Sequence, residues 1–388
     1  MKYLPGYDQY ASTRQLQYLL GIRKHGSFRA CARVFGVDHA SVIRAMEALQ
    51  RNAARQGWSP DNDMTKPTAP GFHVKGTSTL YDAEGAPKIQ WVKTNIDKED
   101  RLAKLCEAIS VLCEPFEGKS KLIKPPKRVS KNLLAVYPMG DPHFGMYAWA
   151  EETGNNFDLD IAEKQMVTAV DGLVSLAPET DQALILNLGD YFHTDNSKNV
   201  TNQSGNSLDV DSRYQRMLEV GILTMEWVIR RALAKSKHVT VINNIGNHDE
   251  HTSVAMSMAL WMLYKNNPRV TVDKSPNPFK YFRHGNVFLG TTHGDNVKAA
   301  QLPGIMATDR KTDWGESTWR FWYTGHVHHD SLKEFPGCVV ETFRTLAPKD
   351  AWHNWRGYRS EQDMKMDLFH DTAPPGRIAR HSVGIRPV

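Results

Sequence analysis

Five short polar motifs, each close to the end of an apolar run, contain the side chains of this chain that are best suited to metal chemistry. In chain order they are Asp141-Pro-His143, Gly189-Asp190, Gly246-Asn247-His248-Asp249, His293-Gly294-Asp295 and Gly325-His326-Val327-His328. Imidazole, carboxylate and amide groups without a thiolate suit Mn²⁺, Fe or Zn²⁺ better than Ca²⁺ or a structural zinc. The motifs therefore predict a metal centre built from residues that are distant in sequence.

Alternating strands and helices must position these motifs. Apolar runs that predict buried strands lie at Leu133–Tyr137, Ala183–Leu188, Val239–Asn243, Val287–Thr291 and Phe321–Thr324. Segments near 160–176, 209–236 and 252–265 have helical periodicity. This order predicts an α/β layered fold, in which functional residues usually lie in the loops at strand ends.

The motifs resemble those of the calcineurin-like metallophosphoesterases over about residues 132–345. The resemblance implies a β-sandwich flanked by helices, with a dinuclear site at one edge of the sheets. It implies one ion on Asp141, His143 and His328, a second on Asn247, His293 and His326, and Asp190 as the bridge. Two divalent ions about 3.5–4 Å apart can hold a hydroxide and bind phosphate oxygens. We expect Mn²⁺, with Fe or Zn²⁺ as alternatives.

Two further histidines are candidate catalytic groups. His248 follows the predicted ligand Asn247 and could protonate the leaving oxygen, while Asp249 could accept from its other nitrogen or simply cap the next helix. Gly189-Asp-Tyr-Phe-His193 is similar to the Gly-Asp-Leu-Phe-His stretch of SbcD-type DNA exonucleases, which implies that His193 assists near the scissile phosphate. A packing role for His193 is the alternative. The arginine of the protein-phosphatase motif Gly-Asp-x-x-Asp-Arg-Gly is missing from this stretch.

Residues 1–60 predict a small all-α domain. Ser12 and Gln15 form a capping-box pattern before the first helix, and two further helices are expected at Phe28–Phe35 and His39–Arg55. Ala32, Gly36 and Val42 resemble a helix-turn-helix signature, and the segment holds nine Lys/Arg against three Asp/Glu. A DNA-binding role is favoured over a protein-interaction module. The candidate DNA contacts are Arg23, Lys24, His39, Ser41, Arg44 and Arg51.

The remaining segments have weaker signals. Residues 61–131 predict a hairpin (77–81 with 89–92), a helix (97–112) and a basic linker, and 346–388 predict a C-terminal extension. Aromatic and basic residues alternate in that extension and could either stack on unpaired bases or cover a sheet edge; they are Trp352, Trp355, Arg356, Tyr358 and Arg359.

The four cysteines have no CxxC spacing, so free thiols are expected. Without a signal-like or membrane-spanning apolar run, we expect a cytoplasmic protein of a bacterium or a phage-infected cell.

The sequence thus predicts a metal-dependent phosphodiesterase that cleaves nucleic acid, most directly a DNA nuclease of phage or DNA-repair type. A helix-turn-helix before a phosphoesterase domain is similar to the architecture of proteins from tailed phages. Two alternatives stay open: a phosphatase or cyclic- or small-nucleotide phosphodiesterase, and a DNA-binding regulator with a vestigial site. DNA is the expected partner, no membrane is expected, and a homodimer is left open.

Overall fold

The computed structural model describes residues 6–62, 64–66, 68, 72–81, 87–96, 118–201 and 205–385. The chain divides into two compact units, residues 1–104 and 105–388. Among the described residues, no helix combines the length and the apolar character that crossing a membrane requires. Cys31 and Cys338 are buried free thiols, and Cys106 and Cys113 lie outside the described residues.

The first unit begins with the three predicted helices, α1 (Thr13–His25), α2 (Phe28–Phe35) and α3 (His39–Arg55). The capping box is present, with the Ser12 side chain accepting from the Gln15 backbone and the Gln15 side chain accepting in return. The helices share a small core that includes Leu19, Val42 and Leu49. The predicted helix boundaries are confirmed because local capping chemistry fixes them.

Strands β1 (Phe72–Tyr81) and β2 (Pro87–Ile96) of the first unit pair antiparallel, which confirms the predicted hairpin. Its predicted turn and the predicted helix at 97–112 lie outside the described residues. The assignment of α1–α3 as a DNA-binding helix-turn-helix stays a prediction.

The second unit contains two β-sheets. The six-stranded sheet has the spatial order β13-β12-β3-β4-β5-β6, and the five-stranded sheet has the order β10-β11-β9-β8-β7. The strands are β3 (Ser130–Met139), β4 (Thr180–Asn187), β5 (Ser236–Asn243), β6 (Val270–Val272), β7 (Lys280–His284), β8 (Val287–Thr291), β9 (Trp319–Thr324), β10 (Ser331–Phe335), β11 (Cys338–Thr342), β12 (Asp363–His370) and β13 (Arg377–Gly384). The five predicted strands of this unit are all present.

Helices flank the sheets of the second unit. They are α4 (Ala150–Thr153), α5 (Leu159–Leu176), α6 (Tyr214–Lys235), α7 (Thr252–Tyr264), α8 (Leu302–Asp309), α9 (Lys311–Glu316) and α10 (Ala351–Trp355). The three predicted helices of this unit correspond to α5, α6 and α7. The positions of α5 and α6 agree because each has an apolar face of helical period, whereas α7 is apolar on most sides and has no exposed residue.

Alternation along the strands explains how the layers pack. In β3, Leu134 and Val136 face the core between the two sheets, whereas Ala135 and Tyr137 face the core that also contains α5, α6 and α7. In β9, Phe321 points to the inter-sheet core, and the neighbouring Trp322 joins a cluster with residues of α8. Successive side chains of a strand point to opposite faces, so each strand fills two apolar layers. The sheets pack face to face with helices outside them, so the predicted α/β fold with a β-sandwich flanked by helices is confirmed.

The six-stranded sheet continues past the predicted boundary at residue 345. Strand β12 pairs antiparallel with β3, and β13 pairs with β12. Met364, Met366 and Leu368 of β12 are buried in the core on the helix side of the sheet. Residues 363–384 are therefore part of the layered fold, and the extension expected from residue 346 is reduced to the segment that precedes them.

Candidate metal centre

The predicted ligands lie where the strands of the two sheets end. Asp141 and His143 follow β3, Asp190 follows β4, and Asn247 follows β5. These three strands are parallel neighbours, so their carboxyl ends meet at one edge of the six-stranded sheet.

The five-stranded sheet contributes its ligands in the same way. His293 follows β8, and His326 and His328 follow β9, with β8 and β9 also parallel. Because the strands are parallel within each sheet, the three loops of the six-stranded sheet and the two loops of the five-stranded sheet lie at the same edge of the sandwich.

Side chains of the second predicted ion site are in contact. His293 Nε2 lies 3.2 Å from Asp190 Oδ2 and 3.0 Å from Asn247 Oδ1. The backbone carbonyl of Leu188 accepts from His293 Nδ1 at 2.9 Å, which leaves Nε2 for the centre. The rings of His293 and His326 are 5.1 Å apart, and Asp190, His293 and His326 form one group whose donor atoms could share an ion.

The first predicted ion site is also assembled. His143 Nε2 lies 3.2 Å from His328 Nε2, which in turn lies 3.6 Å from Asp141 Oδ2. Asp141 Oδ1 has no hydrogen-bond partner although it is fully buried. The seven predicted ligands therefore converge. The first ion site contains the buried carboxylate of Asp141, and the buried carboxylate of Asp190 lies between the two sites.

Charge and protonation favour a cation at this centre. Asp141 and Asp190 are almost completely buried, and no lysine or arginine of the described segments forms an ion pair with them. Burial lowers the pKa of His293, but the Asp190 carboxylate beside it raises that pKa to about 10. His293 thus holds a proton at the place where a metal cation would neutralise the carboxylates of Asp141 and Asp190. Burying two carboxylates without a cation is costly, so these residues fit a metal ion.

Burial also keeps several imidazoles neutral. It lowers the pKa of His143, and it lowers the pKa of His328 to about 3, in both cases with neighbouring histidines adding to the effect. A neutral imidazole offers the lone pair that metal coordination needs. Burial raises the pKa of Asp141 well above its usual range, and a bound cation would act in the opposite direction.

Three glycines make room for the ligands. A Cβ at Gly189 would lie 2.5 Å from His293 Nδ1, and a Cβ at Gly325 would lie 2.7 Å from Asp141 Oδ1. A Cβ at Gly246 would collide with Asp190. Each of these glycines directly precedes a predicted ligand, so the glycine in each motif serves the packing of a ligand from another loop.

His193 lies closer to the centre than a purely packing residue would. Its Nδ1 is 3.2 Å from His143 Nδ1, and His143, His193 and His248 form a second group that could hold an ion. Burial lowers the pKa of His193 to about 3, and its Nε2 has no hydrogen-bond partner. The structure therefore adds His193 to the residues that could contact a metal or a substrate.

The predicted pairing of His248 with Asp249 is wrong. His248 Nδ1 lies 2.9 Å from the backbone carbonyl of His193, which can only accept, so His248 Nε2 is free to face the cavity. Asp249 instead accepts from the backbone N–H groups of Phe192 and Gly246 at 3.1 and 3.0 Å. Its carboxylate thus ties the two ligand loops together, which explains why it points away from the imidazole. Burial, with the nearby Asp190 charge, raises the pKa of Asp249 to about 7.

A cavity of about 260 Å³ opens beside the centre. Asp190, Asn247, His248, His326 and His328 line one part of it, and a part of the wall comes from the segment before β12. The residues of that segment in the wall are Asp350, Trp352, His353 and Tyr358, of which the sequence indicates only Trp352 and Tyr358. The His353 ring stacks on His328 with centroids 4.8 Å apart, and His353 Nδ1 lies 2.7 Å from Asp350 Oδ1. An Asp and a His three residues apart are too common to have indicated this role.

The predicted DNA contacts of the first unit differ in exposure. Lys24, Arg44 and Arg51 are exposed, whereas His39 and Ser41 are half-buried. Arg23 is held by a two-pronged ion pair with Asp8 at 2.7 and 2.9 Å. Its charge is therefore partly neutralised within the unit.

Comparison with known proteins gives likenesses of fold. No family model matches the chain, and no curated protein matches it. Among solved structures, the chain is similar to an uncharacterized Streptococcus pneumoniae protein described as a predicted phosphoesterase (11% identity, 66% of this chain, 100% of that chain, TM-score 0.27). It is also similar to zinc-complexed Vps29 of Entamoeba histolytica (12%, 64% and 98%, 0.26) and to an archaeal phosphodiesterase (11%, 65% and 99%, 0.31). Likenesses of this size carry no information about activity.

Proposed function

We propose that the second unit is a metal-dependent phosphodiesterase that cleaves nucleic acid, with DNA as its foremost substrate. The observation that carries this proposal is the convergence of seven side chains with nitrogen or oxygen donors, two of them buried carboxylates that pair with no lysine or arginine of the described segments. The residues that would hold two divalent ions are Asp141, His143, Asp190, Asn247, His293, His326 and His328. Such ions, Mn²⁺ foremost, supply a nucleophilic water at neutral pH and neutralise phosphate charge.

His248 is the candidate proton donor. The carbonyl of His193 fixes its Nδ1 proton at 2.9 Å, and the side chain lines the cavity beside Asn247. The free Nε2 can therefore hold a proton for the leaving oxygen of a phosphodiester. His193, whose Nε2 has no hydrogen-bond partner, lies beside both His143 and His248 and would assist from there.

A phosphodiester suits this cavity better than a phosphomonoester. The described residues that line it include no lysine or arginine, whereas a terminal phosphate carries an extra negative charge that usually requires one. A phosphatase is the second candidate, and a regulator with a vestigial site is disfavoured because no predicted ligand is missing from the centre.

Cleavage assays test the proposal. Purified protein with Mn²⁺, Mg²⁺ or Zn²⁺ is given methyl p-nitrophenyl phosphate, p-nitrophenyl phosphate, and labelled DNA and RNA. We expect diester and DNA cleavage that exceeds monoester cleavage and is lost in Asp190→Asn. Asp160→Asn, at an exposed acid of α5, is the matched control and should retain activity. Cleavage in excess EDTA, or a fully active Asp190→Asn enzyme, would contradict the proposal.

We further propose that the first unit delivers the enzyme to DNA through the exposed face of α3. Arg44→Ala combined with Arg51→Ala should weaken binding to long DNA and reduce its salt slope by about 0.9 for each phosphate that the variant no longer neutralises. Removing two exposed positive charges of the second unit, with Arg216→Ala combined with Lys164→Ala, is the charge-matched control. Equal salt slopes for the two variants would instead make the helices a protein-docking module.

A further inference from the structure

A row of aromatic rings leads from the proposed metal centre to the surface. The His353 ring stacks on the predicted ligand His328, with centroids 4.8 Å apart at an angle of 25°. Trp352 and Tyr358 contact His353 with centroid separations of 5.0 and 5.1 Å. Trp352 is therefore only two ring contacts away from a metal ligand.

The outer rings of this row are open to solvent. Trp352 is 54% exposed and Tyr358 is 38% exposed, although both line the cavity that holds the metal ligands. These side chains therefore do not cover a sheet edge. Exposed aromatic surface at a cavity wall is typical of a site that binds a flat ligand.

Basic groups surround the same segment. The Arg356 guanidinium lies 5.4 Å from the centre of the Trp352 ring. A second cavity of about 190 Å³ lies against His328, His353 and Tyr358, and Lys349 and Arg359 line it. The aromatic wall thus separates a cavity whose described lining has no lysine or arginine from one that is lined by Lys349 and Arg359. A polymer of alternating flat bases and anionic phosphates would match both sides.

We propose that residues 349–359 bind a single-stranded nucleic acid, with an unpaired base stacked on Trp352 and the adjacent phosphate near Lys349 and Arg359. This inference rests on the proposed function of the metal centre and specifies its substrate. Every base has a π-face, so stacking tolerates any sequence, but a base within a duplex already stacks on its neighbours. The enzyme should accordingly prefer single strands, frayed ends or flaps to intact duplex.

Trp352→Ala tests the stacking role. Loss of one stacked base costs about 1–3 kcal/mol, or roughly 5–150-fold in affinity. We expect the ratio of kcat/KM for a single-stranded oligonucleotide to that for methyl p-nitrophenyl phosphate to fall about tenfold or more. Trp352→Phe should restore most of the ratio because it keeps a flat ring. A ratio for Trp352→Ala within twofold of wild type would overturn the inference.

Trp149 provides a matched control, since it is also a tryptophan of the second unit, is 53% exposed, and lines neither cavity. Trp149→Ala should leave the ratio at the wild-type value. A fall as large in Trp149→Ala as in Trp352→Ala would show a general effect of losing a surface tryptophan and would overturn the inference.

Two further measurements separate this inference from the proposed activity. If the wild type cleaves no diester, the proposed function fails, and fluorescence anisotropy of a labelled single strand decides the inference alone. Weaker binding by Trp352→Ala would support it, and equal binding would refute it. In a competition assay at equal base concentration, free dTMP should compete much less well than the oligonucleotide. Equal competition would assign the site to mononucleotides and refute the proposal of a polymer.

Discussion

Gly246→Ala should disable the metal centre without disturbing the fold. Gly246 lies in the loop after β5, and a Cβ there would lie 2.8 Å from Asp190 Cγ, and closer still to Asp190 Oδ1 and its backbone nitrogen. Carbon atoms in contact are ordinarily about 3.5–4.0 Å apart, so the contact with Cγ alone requires a shift of roughly 0.7–1.2 Å. The shorter contact with the backbone nitrogen requires the main chain of one of the two loops to move as well. Asp190 is almost fully buried, and a shift of this size would break its contact with His293 Nε2 at 3.2 Å.

A displacement of about 1 Å in a catalytic group can cost about 100-fold in rate. We therefore expect kcat/KM for methyl p-nitrophenyl phosphate to fall by about 100-fold, together with weaker Mn²⁺ binding measured by calorimetry. The far-ultraviolet circular dichroism should stay unchanged, because the backbone of Gly246 is not in the left-handed region and can accept alanine.

Gly304→Ala is the matched control for Gly246→Ala. Gly304 is an exposed residue of α8, and a Cβ there would meet nothing within 4 Å. Alanine is favoured over glycine in a helix by about 1 kcal/mol, so this variant should keep its activity and gain stability. A Gly246→Ala enzyme within threefold of wild type would refute the steric reasoning about Asp190.

Three other predictions concern catalysis and stability. His248→Ala should lose turnover while keeping its metal content, and an activated leaving group should reduce the loss, as kinetics paired with elemental analysis can show. Asp367→Ala should cost about 1.5–3 kcal/mol in urea unfolding, because the fully buried Asp367 accepts from the partly exposed Arg380 at 2.6 and 2.7 Å, and Arg380 would keep only its pair with Glu341. Asp160→Ala at an exposed pair should cost under about 1 kcal/mol. Burial lowers the pKa of His193 to about 3, so between pH 6.5 and pH 3 the unfolded chain binds a proton at this residue that the folded chain does not. Over that range, the free energy of unfolding of the metal-free wild type should fall by about 1.4 kcal/mol per pH unit more than that of His193→Gln.

The places of the polar motifs at strand ends could be predicted because apolar runs and polar motifs alternate along the sequence, whereas the assignment of the ligands comes from the resemblance to the metallophosphoesterases. Apolar runs identify strands that are buried on both faces, and parallel neighbours necessarily bring their carboxyl ends together. Helices α1–α3 were predictable for a different reason, since Ser12, Ser27 and Asp38 each accept from a backbone N–H of the first turn. Both kinds of prediction depend on local chemistry.

Features that depend on long-range pairing could not be predicted in this way. Strand β12 alternates methionine with Lys365 and Asp367, a pattern typical of a strand with one solvated face. Asp367 is in fact fully buried, where it contacts Arg380, Arg377 and Tyr323. The partners come from β9 and β13, so the charge that looked exposed belongs to an ion network. The position of His353 at the site could not be predicted either, because its contact with His328 joins residues that only the folded sheets bring together.

Backbone strain adds an independent argument that the centre is functional. Six non-glycine residues of the described segments have positive φ, and five of them are predicted metal ligands: Asp141 (39°), His143 (48°), Asp190 (48°), His326 (69°) and His328 (56°). Each such conformation costs about 1–2 kcal/mol, so together they consume a large part of a typical folding stability. Hydrogen bonds between the loops hold the conformations, as when His326 N donates to Asp141 Oδ2 at 2.7 Å. Packing alone gives no reason to concentrate strain on five ligand residues, whereas the need to aim all of them at one point does.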